Sequence, residues 1–296
     1  MKVNFGMMLL AGSVPALLLA GCSGDDNVQG FVSFSTLVKP GTTTLPGFTT
    51  EVSTTSPNFN NTQVGRGTGS VTLTVDSVGN VTALSIGGEE SHVDFGPGNA
   101  TLAANGGFVG ALSTDTRTAA IVADPKSLGF NYQTFGVWLS GSGVGSGLGG
   151  AISAGAATPG GSIPLTGSAN YNGAAGGLYV DPNGVTYLAK SSSALSTNFA
   201  TNSVSFSTSG STAASTATGA ALANPSILNI GGVLTYAGGA NDFSGPVSSF
   251  TVTGSSPTLS GSARGQFYGP AANEIGGTFA LKGVGPEGYL GAFGAK

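Results

Sequence analysis

The amino-acid sequence predicts an all-β protein. Charged residues make up only 7% of the 296 residues, against about 25% in an average soluble domain. The chain therefore has few of the Glu, Lys and Arg residues that favour exposed helices, whereas its 52 Gly residues and its many Ser and Thr residues are typical of strands and turns. A hydrophobic share of 40%, with 16 Phe and 7 Tyr, supplies a core and argues against a disordered chain.

The first 21 residues have the layout of a secretory signal peptide, with Lys2 near the start and an apolar run behind it. The run is too short for a membrane-spanning helix. It ends in Leu-Ala-Gly-Cys22, which matches the bacterial lipobox. We therefore predict cleavage before Cys22 and lipidation of its thiol, which anchors the chain in a bilayer. The alternative is a plain signal peptide with an incidental Cys, but Cys22 is the only Cys of the chain and stands where the lipobox requires one.

The composition of the remaining chain suggests how it is divided. Without a second Cys it cannot form an internal disulfide, so a β-sheet core must supply its stability. After the signal peptide at residues 1–21 we predict a tether at 22–30, an N-terminal β domain at 31–139 and a C-terminal β-barrel domain at 166–296. Between the two domains, residues 140–165 are rich in Gly, Ser and Ala without periodicity, and are predicted as a linker or loop.

Alternating apolar residues predict two hairpins in the N-terminal domain, one from 71–75 and 82–86 and one from 108–112 and 118–122. Residues 42–61 give only weak strand signals and are predicted to be rich in loops. Phe31 to Phe34 are predicted to begin a strand. A strand at 129–138 is apolar on both faces, as expected between two layers, and its Trp138 is predicted to lie in the core.

Short strands separated by turn residues also fill the C-terminal region, as in a closed antiparallel barrel. The clearest hairpin joins 195–199 to 204–208. Residues 169–173 and 177–180 are predicted to pair with each other, and 211–224 to form an exposed loop. The meander continues through 233–236, 243–245 and 250–252.

The last segment of the chain contains the most regular pattern. Gly265 and Phe267 share one face of a strand that ends at a Gly-Pro turn. A second strand alternates from Ile275 to Leu281, and a third from Tyr289 to Ala295. Each of these strands is predicted to be half-buried.

The run from Phe267 to Phe279, followed by the terminal Phe-Gly-Ala-Lys, resembles the last hairpin of the transferrin-binding protein B family of surface lipoproteins. The resemblance is clear over residues 261–296 and extends back to about 166. It implies an antiparallel barrel of about eight strands and a binding function at a bacterial surface. It gives a structural role to the motif residues Phe267, Tyr268, Gly269, Pro270, Glu274, Gly276, Gly277, Phe279, Phe293 and Gly294. The carboxylate of Glu274 is expected beside Arg264 or Lys282.

The sequence offers little catalytic or metal-binding chemistry. Its single His, His92, lies among Glu89, Glu90 and Asp94, which could make a metal site, but a solvated acidic turn is favoured because no second His or Cys supports a metal. No Gly-x-Ser-x-Gly motif occurs, and no carboxylate pair is singled out. We therefore predict a protein that is not an enzyme and has no cofactor. A net charge of −4 argues against nucleic acid as a partner.

The sequence thus predicts an outer-membrane surface lipoprotein that binds a nutrient carrier or a solute for uptake. Its candidate ligands include an iron- or haem-bearing protein, and its candidate partners an outer-membrane transporter and the bilayer that holds acylated Cys22. Loops 214–224 and 238–242, placed at one barrel end, are the candidate binding elements. The first alternative is a structural or adhesive surface lipoprotein without a transport role. A membrane-embedded barrel is a second alternative, and the lipobox argues against it.

Overall fold

The computed structural model of the chain describes residues 36–55, 58–141, 146–250 and 258–296. The predicted signal peptide, Cys22, the tether and the strand expected at 31–34 lie outside the described residues. The described part is almost entirely β-structure, which confirms the predicted fold class. None of its helices has the length and hydropathy needed to cross a membrane.

Nine antiparallel strands form an N-terminal sheet that curls into a nearly closed barrel. The strands are β1 (Gly41–Thr55), β2 (Asn58–Val75), β3 (Val81–Gly87), β4 (His92–Phe95), β5 (Ala100–Asn105), β6 (Phe108–Ser113), β7 (Thr118–Ala123), β8 (Gln133–Ser140) and β9 (Ser146–Gly155). Their order across the sheet is β4-β3-β2-β1-β9-β8-β7-β6-β5. A short helix, α1 (Pro125–Leu128), joins β7 to β8, and Asp124 caps it by accepting from the Lys126 N–H.

Both hairpins predicted in this sheet are confirmed, as β2–β3 and β6–β7. The prediction that residues 42–61 are rich in loops is wrong, because β1 and the start of β2 occupy them. Leu45, Phe48 and Val52 in β1 are buried, but Thr, Pro and Gly separate them and hide their alternation. β-branched Thr suits a strand, and β1 pairs with both β2 and β9.

The predicted linker at residues 140–165 is also wrong, because it contains β9, a central strand between β1 and β8. The small side chains of β9 permit close approach on both faces. A Cβ on Gly150 would stand 2.1 Å from the Trp138 ring, and Ala151 and Ala154 are fully buried. A strand buried on both faces shows no alternation, which is why this segment reads as low complexity.

Eight strands then form a closed antiparallel barrel in simple meander order, as predicted. They are β10 (Ser168–Val180), β11 (Thr186–Asn198), β12 (Ser203–Ser215), β13 (Ile230–Thr235), β14 (Phe243–Ser249), β15 (Ser260–Tyr268), β16 (Glu274–Lys282) and β17 (Gly288–Ala295). Single 3₁₀ turns lie at Gly160–Ser162 and Pro225–Leu228. β17 closes the barrel by pairing with β10.

The β11–β12 hairpin is confirmed, but two details of the barrel prediction are wrong. Residues 169–173 and 177–180 do not pair with each other, since both belong to the continuous strand β10. Gly173 marks a close approach rather than a turn, because a Cβ there would stand 2.0 Å from the Gly294 carbonyl oxygen. The exposed loop predicted at 211–224 begins later, because β12 continues to Ser215.

Aromatic side chains fill the barrel. Phe267, Phe279 and Phe293 lie in its apolar cluster, as their predicted inward face requires. Phe293 stacks on Phe206 with ring centroids 4.4 Å apart, and Phe279 meets Tyr289 edge-on at 4.8 Å. Such contacts stabilise a core beyond the area they bury.

The last two strands are buried on both faces, whereas the sequence predicted half-buried strands. All residues of β17 are buried because the N-terminal sheet packs on the outside of the barrel. Ala280, Leu290 and Ala292 face outward into an apolar cluster that they share with Phe135 and Val137 of β8. The two β units are therefore joined by a common core.

Candidate binding surface at the open end of the barrel

Meander topology divides the barrel loops between two ends. Consecutive loops of an antiparallel meander open at opposite ends, so the β12–β13 loop at 216–229 and the β13–β14 loop at 236–242 cannot lie together. The prediction that placed 214–224 and 238–242 at one barrel end is therefore wrong. One end carries 199–202, 236–242 and 269–273, and we call it the docked end.

The carboxylate of Glu274 is a central contact at the docked end. It accepts the backbone N–H groups of Asn131 at 2.6 Å and Tyr132 at 3.2 Å, so the expectation that it lies beside Arg264 or Lys282 is wrong. Glu274 is only 2% exposed, and burial raises its pKa above the ordinary range of a glutamate despite these two donors.

Other residues of the family motif also reach the N-terminal sheet. Tyr268 and Ser153 share a hydrogen bond of 2.6 Å between their hydroxyls, and desolvation raises the pKa of Tyr268. Gln133 donates its amide to the carbonyls of Ile275 and Ala295, each at 3.0 Å. Tyr268 occupies an outward position at the end of β15, whereas Ser153 and Gln133 belong to β9 and β8 of the N-terminal sheet.

The glycines of the motif make room for these contacts. A Cβ on Gly276 would stand 2.2 Å from Gln133 Oε1, and one on Gly294 would stand 2.7 Å from the Phe135 ring. Gly277 faces the barrel interior, where a Cβ would meet the Phe293 ring at 2.5 Å. Gly269 and Pro270 form the turn, and Gly269 has a φ of 84°. The motif therefore serves both the barrel core and the domain contact.

The candidate loop at 238–242 also takes part in docking. Asn241 donates its amide to the carbonyls of Thr158 and Phe267 and accepts the Phe267 N–H at 2.6 Å. Asp242 forms an ion pair with Arg264 at 2.8 Å, and the Arg264 guanidinium lies 5.5 Å from the Phe48 ring centroid. Because this loop holds the two units together, it is a poor candidate for ligand contact.

The opposite end carries the loops 181–185, 216–229 and 283–287 together with Phe250, and we call it the open end. Val185, Phe250 and Val284 on three of its segments are 37%, 55% and 80% exposed. Exposed apolar side chains that lie at the same end of a molecule are candidates for an interaction surface. The open end is therefore the candidate binding surface.

The turn that carries Val185 is held by Asp181. One carboxylate oxygen of Asp181 accepts the N–H groups of Asn183 and Val185, each at 2.8 Å. The backbone of Asp181 also pairs with Val185 at 3.0 Å. Asp181 itself is 9% exposed, so this turn presents its apolar residue and withdraws its charge.

The turn that carries Val284 is built in the same way around Glu287. Glu287 accepts the Val284 N–H at 3.3 Å through one oxygen and the Tyr179 hydroxyl at 2.8 Å through the other. Its side chain is buried. Desolvation, and then the bond to the Glu287 carboxylate, raise the pKa of Tyr179, which keeps this phenol a donor.

Backbone contacts hold the remaining open-end loop. The Thr216 N–H donates to the Thr186 carbonyl at 3.0 Å, and the Phe250 N–H donates to the Asn229 carbonyl at 2.9 Å. Asn229 also accepts from the hydroxyl of Ser211 at 2.8 Å. Because hydrogen bonds hold the loops 181–185, 216–229 and 283–287 in the free protein, binding to these three loops would cost little conformational entropy.

Sequence reasoning missed Val185, Phe250 and Val284. A signal for two of them was present, since Val185 follows a Pro-Asn-Gly turn and Val284 lies between two Gly residues. A single apolar residue in such a turn has no strand partner that could bury it. The topology was needed to place these turns at the same end.

The acidic group around His92 does not assemble a metal site. His92 Nε2 and Asp94 both contact the Ser85 hydroxyl at 2.5 Å, whereas Glu89 accepts from Thr68. In the described part of the chain, no three His, Cys, Asp or Glu side chains converge on a common point. Glu89 and Glu90 lie in the turn between β3 and β4, whereas His92 and Asp94 belong to strand β4 rather than to the predicted acidic turn.

A groove of about 290 Å³ lies on the barrel wall, nearer the docked end. It is lined by Asn170 and Asn172 of β10, Ser196 of β11, and Ser205 and Ser207 of β12, together with their neighbours Tyr171, Ala194, Leu195 and Phe206. It is uncharged and shallow, and it is separate from the open end.

Residues 163–296 match the family model that describes the C-lobe and N-lobe beta barrels of Tf-binding protein B. No match was found among curated proteins. Similar solved structures include a double mutant of Transferrin Binding Protein B from Haemophilus parasuis Hp5, 18% identical over 84% of this chain and 44% of that one, with a TM-score of 0.48. Isotype 1 Transferrin binding protein B from serogroup B Neisseria meningitidis is 17% identical over 84% of this chain and 43% of that one, with a TM-score of 0.45.

The chain spans less than half the length of each of these two proteins. The family match begins at residue 163, three residues before the start predicted from the sequence, and covers every strand from β10 to β17. The C-terminal domain of this chain is therefore a β-barrel of the transferrin-binding protein B type.

Proposed function

We propose that this chain is a lipid-anchored surface protein of a bacterial outer membrane, and that its open end binds an iron- or haem-carrying protein for uptake. The observation that carries the proposal is the family match of residues 163–296, whose relatives are named for binding transferrin. Binding rather than catalysis suits the open end, where the buried carboxylates of Asp181 and Glu287 hold turns.

The chemistry of the open end favours a protein ligand. Three exposed apolar side chains, two of them on hydrogen-bonded turns, can pack against an apolar patch of a partner. The carboxylates of these turns are buried and accept hydrogen bonds from backbone N–H groups or from a hydroxyl. We therefore expect an affinity that changes little with salt concentration, unlike that of an interface built on surface charges.

A binding measurement with immobilised mature chain tests the proposal. The probes are iron-loaded transferrin, iron-free transferrin and haem. We expect the immobilised chain to retain at least one of these three probes. A variant with Val185, Phe250 and Val284 all changed to Ser should bind roughly tenfold more weakly or worse. Leu165→Ser is the matched control, because Leu165 is 74% exposed but lies at the docked end. Equal loss in the control would remove the open end from the proposal.

The membrane anchor has its own test. Cys22→Ala should release the protein from washed membranes into the soluble fraction, because the variant cannot be acylated. Retention of the variant in membranes would contradict the anchor. A neighbouring gene for an outer-membrane transporter would support the proposed route of uptake.

A structural or adhesive role is the alternative function, and the barrel wall favours it. The outward residues from Ser192 to Asn198 of β11 and from Ser203 to Ser209 of β12 are Ser, Ala or Asn, which gives an uncharged surface on this part of the wall. Failure to retain transferrin or haem, combined with loss of cell adhesion when the gene is deleted, would select this alternative.

A further inference from the structure

The N-terminal sheet has two edges, and only one of them is protected. The barrel formed by β10 to β17 is closed and has no edge. β4, at one edge of the N-terminal sheet, has four residues and carries exposed His92 and Asp94. Short length and charge are two devices that prevent an edge strand from pairing with another chain.

The other edge, β5, has neither device. Its sequence from Ala100 to Asn105 contains no charge and no Pro, and its ladder with β6 is regular and without a bulge. Four of its six residues are exposed and the other two are half-buried. An exposed, regular and uncharged edge offers a row of unpaired backbone groups to another strand.

Hydrogen bonds leave the middle of this edge open. Apart from the ladder with β6, the hydrogen bonds that β5 makes in the described structure lie at its ends. There the Ala100 N–H donates to the Gly96 carbonyl at 3.2 Å and Lys190 Nζ donates to the Asn105 carbonyl at 3.4 Å. Among the described residues, the outward backbone groups between these two ends have no hydrogen-bond partner.

The side chains of β5 are complementary to those of a second copy. An antiparallel pairing about a two-fold axis through Leu102 would oppose Leu102 with its counterpart, Thr101 with Ala103, and Ala100 with Ala104. Every opposed pair is uncharged, so no repulsion arises. Leu102 is half-buried against the sheet interior, and its counterpart would cover the part that remains exposed.

We propose that two copies of this chain associate edge to edge through β5, forming a continuous antiparallel sheet across the dimer. The pairing is isologous, because the same strand serves both copies. It uses neither the open end nor the docked end, so a dimer would present two open ends. This inference does not depend on the ligand proposed above.

Sedimentation velocity of the lipid-free mature chain, over a wide concentration range, tests the proposal. The expected result is a reversible monomer–dimer equilibrium. Changing Thr101 and Ala103 together to Lys would place Lys opposite Lys in the pairing, and we expect the dimer to weaken roughly tenfold. Both side chains lie on the solvent face of β5, so the fold should persist, as circular dichroism can verify.

Two further variants keep the test specific. A chain with Ser205→Lys and Ser207→Lys places the same charges on the barrel wall and should dimerise like the parent. A chain with Thr101→Glu and Ala103→Glu should remain monomeric alone but form mixed dimers with the Lys variant, since opposite charges then face each other. A parent chain that is monomeric at every concentration, or a Lys variant that dimerises unchanged, would overturn the proposal.

Discussion

Substitution of Gly276 by Ala should weaken the contact between the barrel and the N-terminal sheet and lower the free energy of unfolding. The new Cβ would lie 2.2 Å from Gln133 Oε1, 2.9 Å from Ser153 Oγ and 3.0 Å from the Phe293 carbonyl oxygen. Gln133 must move, but its amide donates to two buried carbonyls. Losing both bonds costs about 2–3 kcal/mol, and the better strand propensity of Ala returns about 0.5–1 kcal/mol. The net loss should be roughly 2 kcal/mol.

Urea unfolding, followed through the fluorescence of Trp138 and by circular dichroism, measures this loss. Gly161→Ala is the control, since nothing lies within 4 Å of a Cβ at Gly161 and its φ is not in the left-handed region. The cost of Gly276→Ala should shrink in a Gln133→Ala background, because the obstacle is then absent. A Gly276→Ala protein as stable as the parent, or a cost that Gln133→Ala leaves unchanged, would refute this account of the docked end.

Three further substitutions test the two cores and the buried carboxylate. Phe293→Ala should cost about 3–5 kcal/mol in a thermal or urea melt, because the fully buried ring stacks on Phe206. Ser91→Ala should cost about 1–3 kcal/mol, since it removes the acceptor of the Trp138 indole N–H at 2.7 Å. The raised pKa of Glu274 means that its stabilising contribution is complete below the unfolded value of about 4.3 and is lost as pH rises through the folded pKa. Stability should therefore fall less steeply above pH 4 in Glu274→Gln than in the parent, and parallel curves in pH-dependent melts would contradict this sign.

The barrel was largely predictable from the sequence. Its inward residues alternate with small outward ones, as in the run from Ile275 to Leu281, and tight turns separate its strands. Such a pattern fixes both the strand and its face. The β11–β12 hairpin was found for the same reason, because Leu195 and Phe206 oppose each other across a tight turn that contains Thr201 and Asn202.

The N-terminal sheet was less predictable, because its strands have no clear period. β9 is covered on both faces and consists largely of Gly, Ala and Ser, so its burial leaves no alternation in the sequence. β1 is 15 residues long, and its apolar residues are separated by Thr. Long-range pairing with β2 and β9, rather than local preference, makes β1 a strand.

The candidate binding surface could not be predicted from residue types. Exposed Val185 and Val284 are 99 positions apart in the sequence. Their turns lie at the same end of the barrel because its strands form an antiparallel meander. The rule that assigns loops to the two ends could have been applied to the sequence, since consecutive loops of an antiparallel meander always open at opposite ends. Applied to residues 216–229 and 236–242, it would have excluded their placement at one end.

The family motif has two separate tasks, and the period of the strand assigns them. Inward Phe267, Ile275 and Phe279 close the barrel, whereas outward Tyr268 and Glu274 bond to the N-terminal sheet. A barrel without a neighbouring domain would need only the inward apolar residues, and any polar residue could occupy its outward positions. Burial raises the pKa of the Glu274 carboxyl, and burying such a group without hydrogen-bond donors would destabilise the fold. The presence of Glu274 at the start of β16 is therefore explained by the backbone N–H groups of the preceding domain, and the motif specifies a barrel that is built to dock.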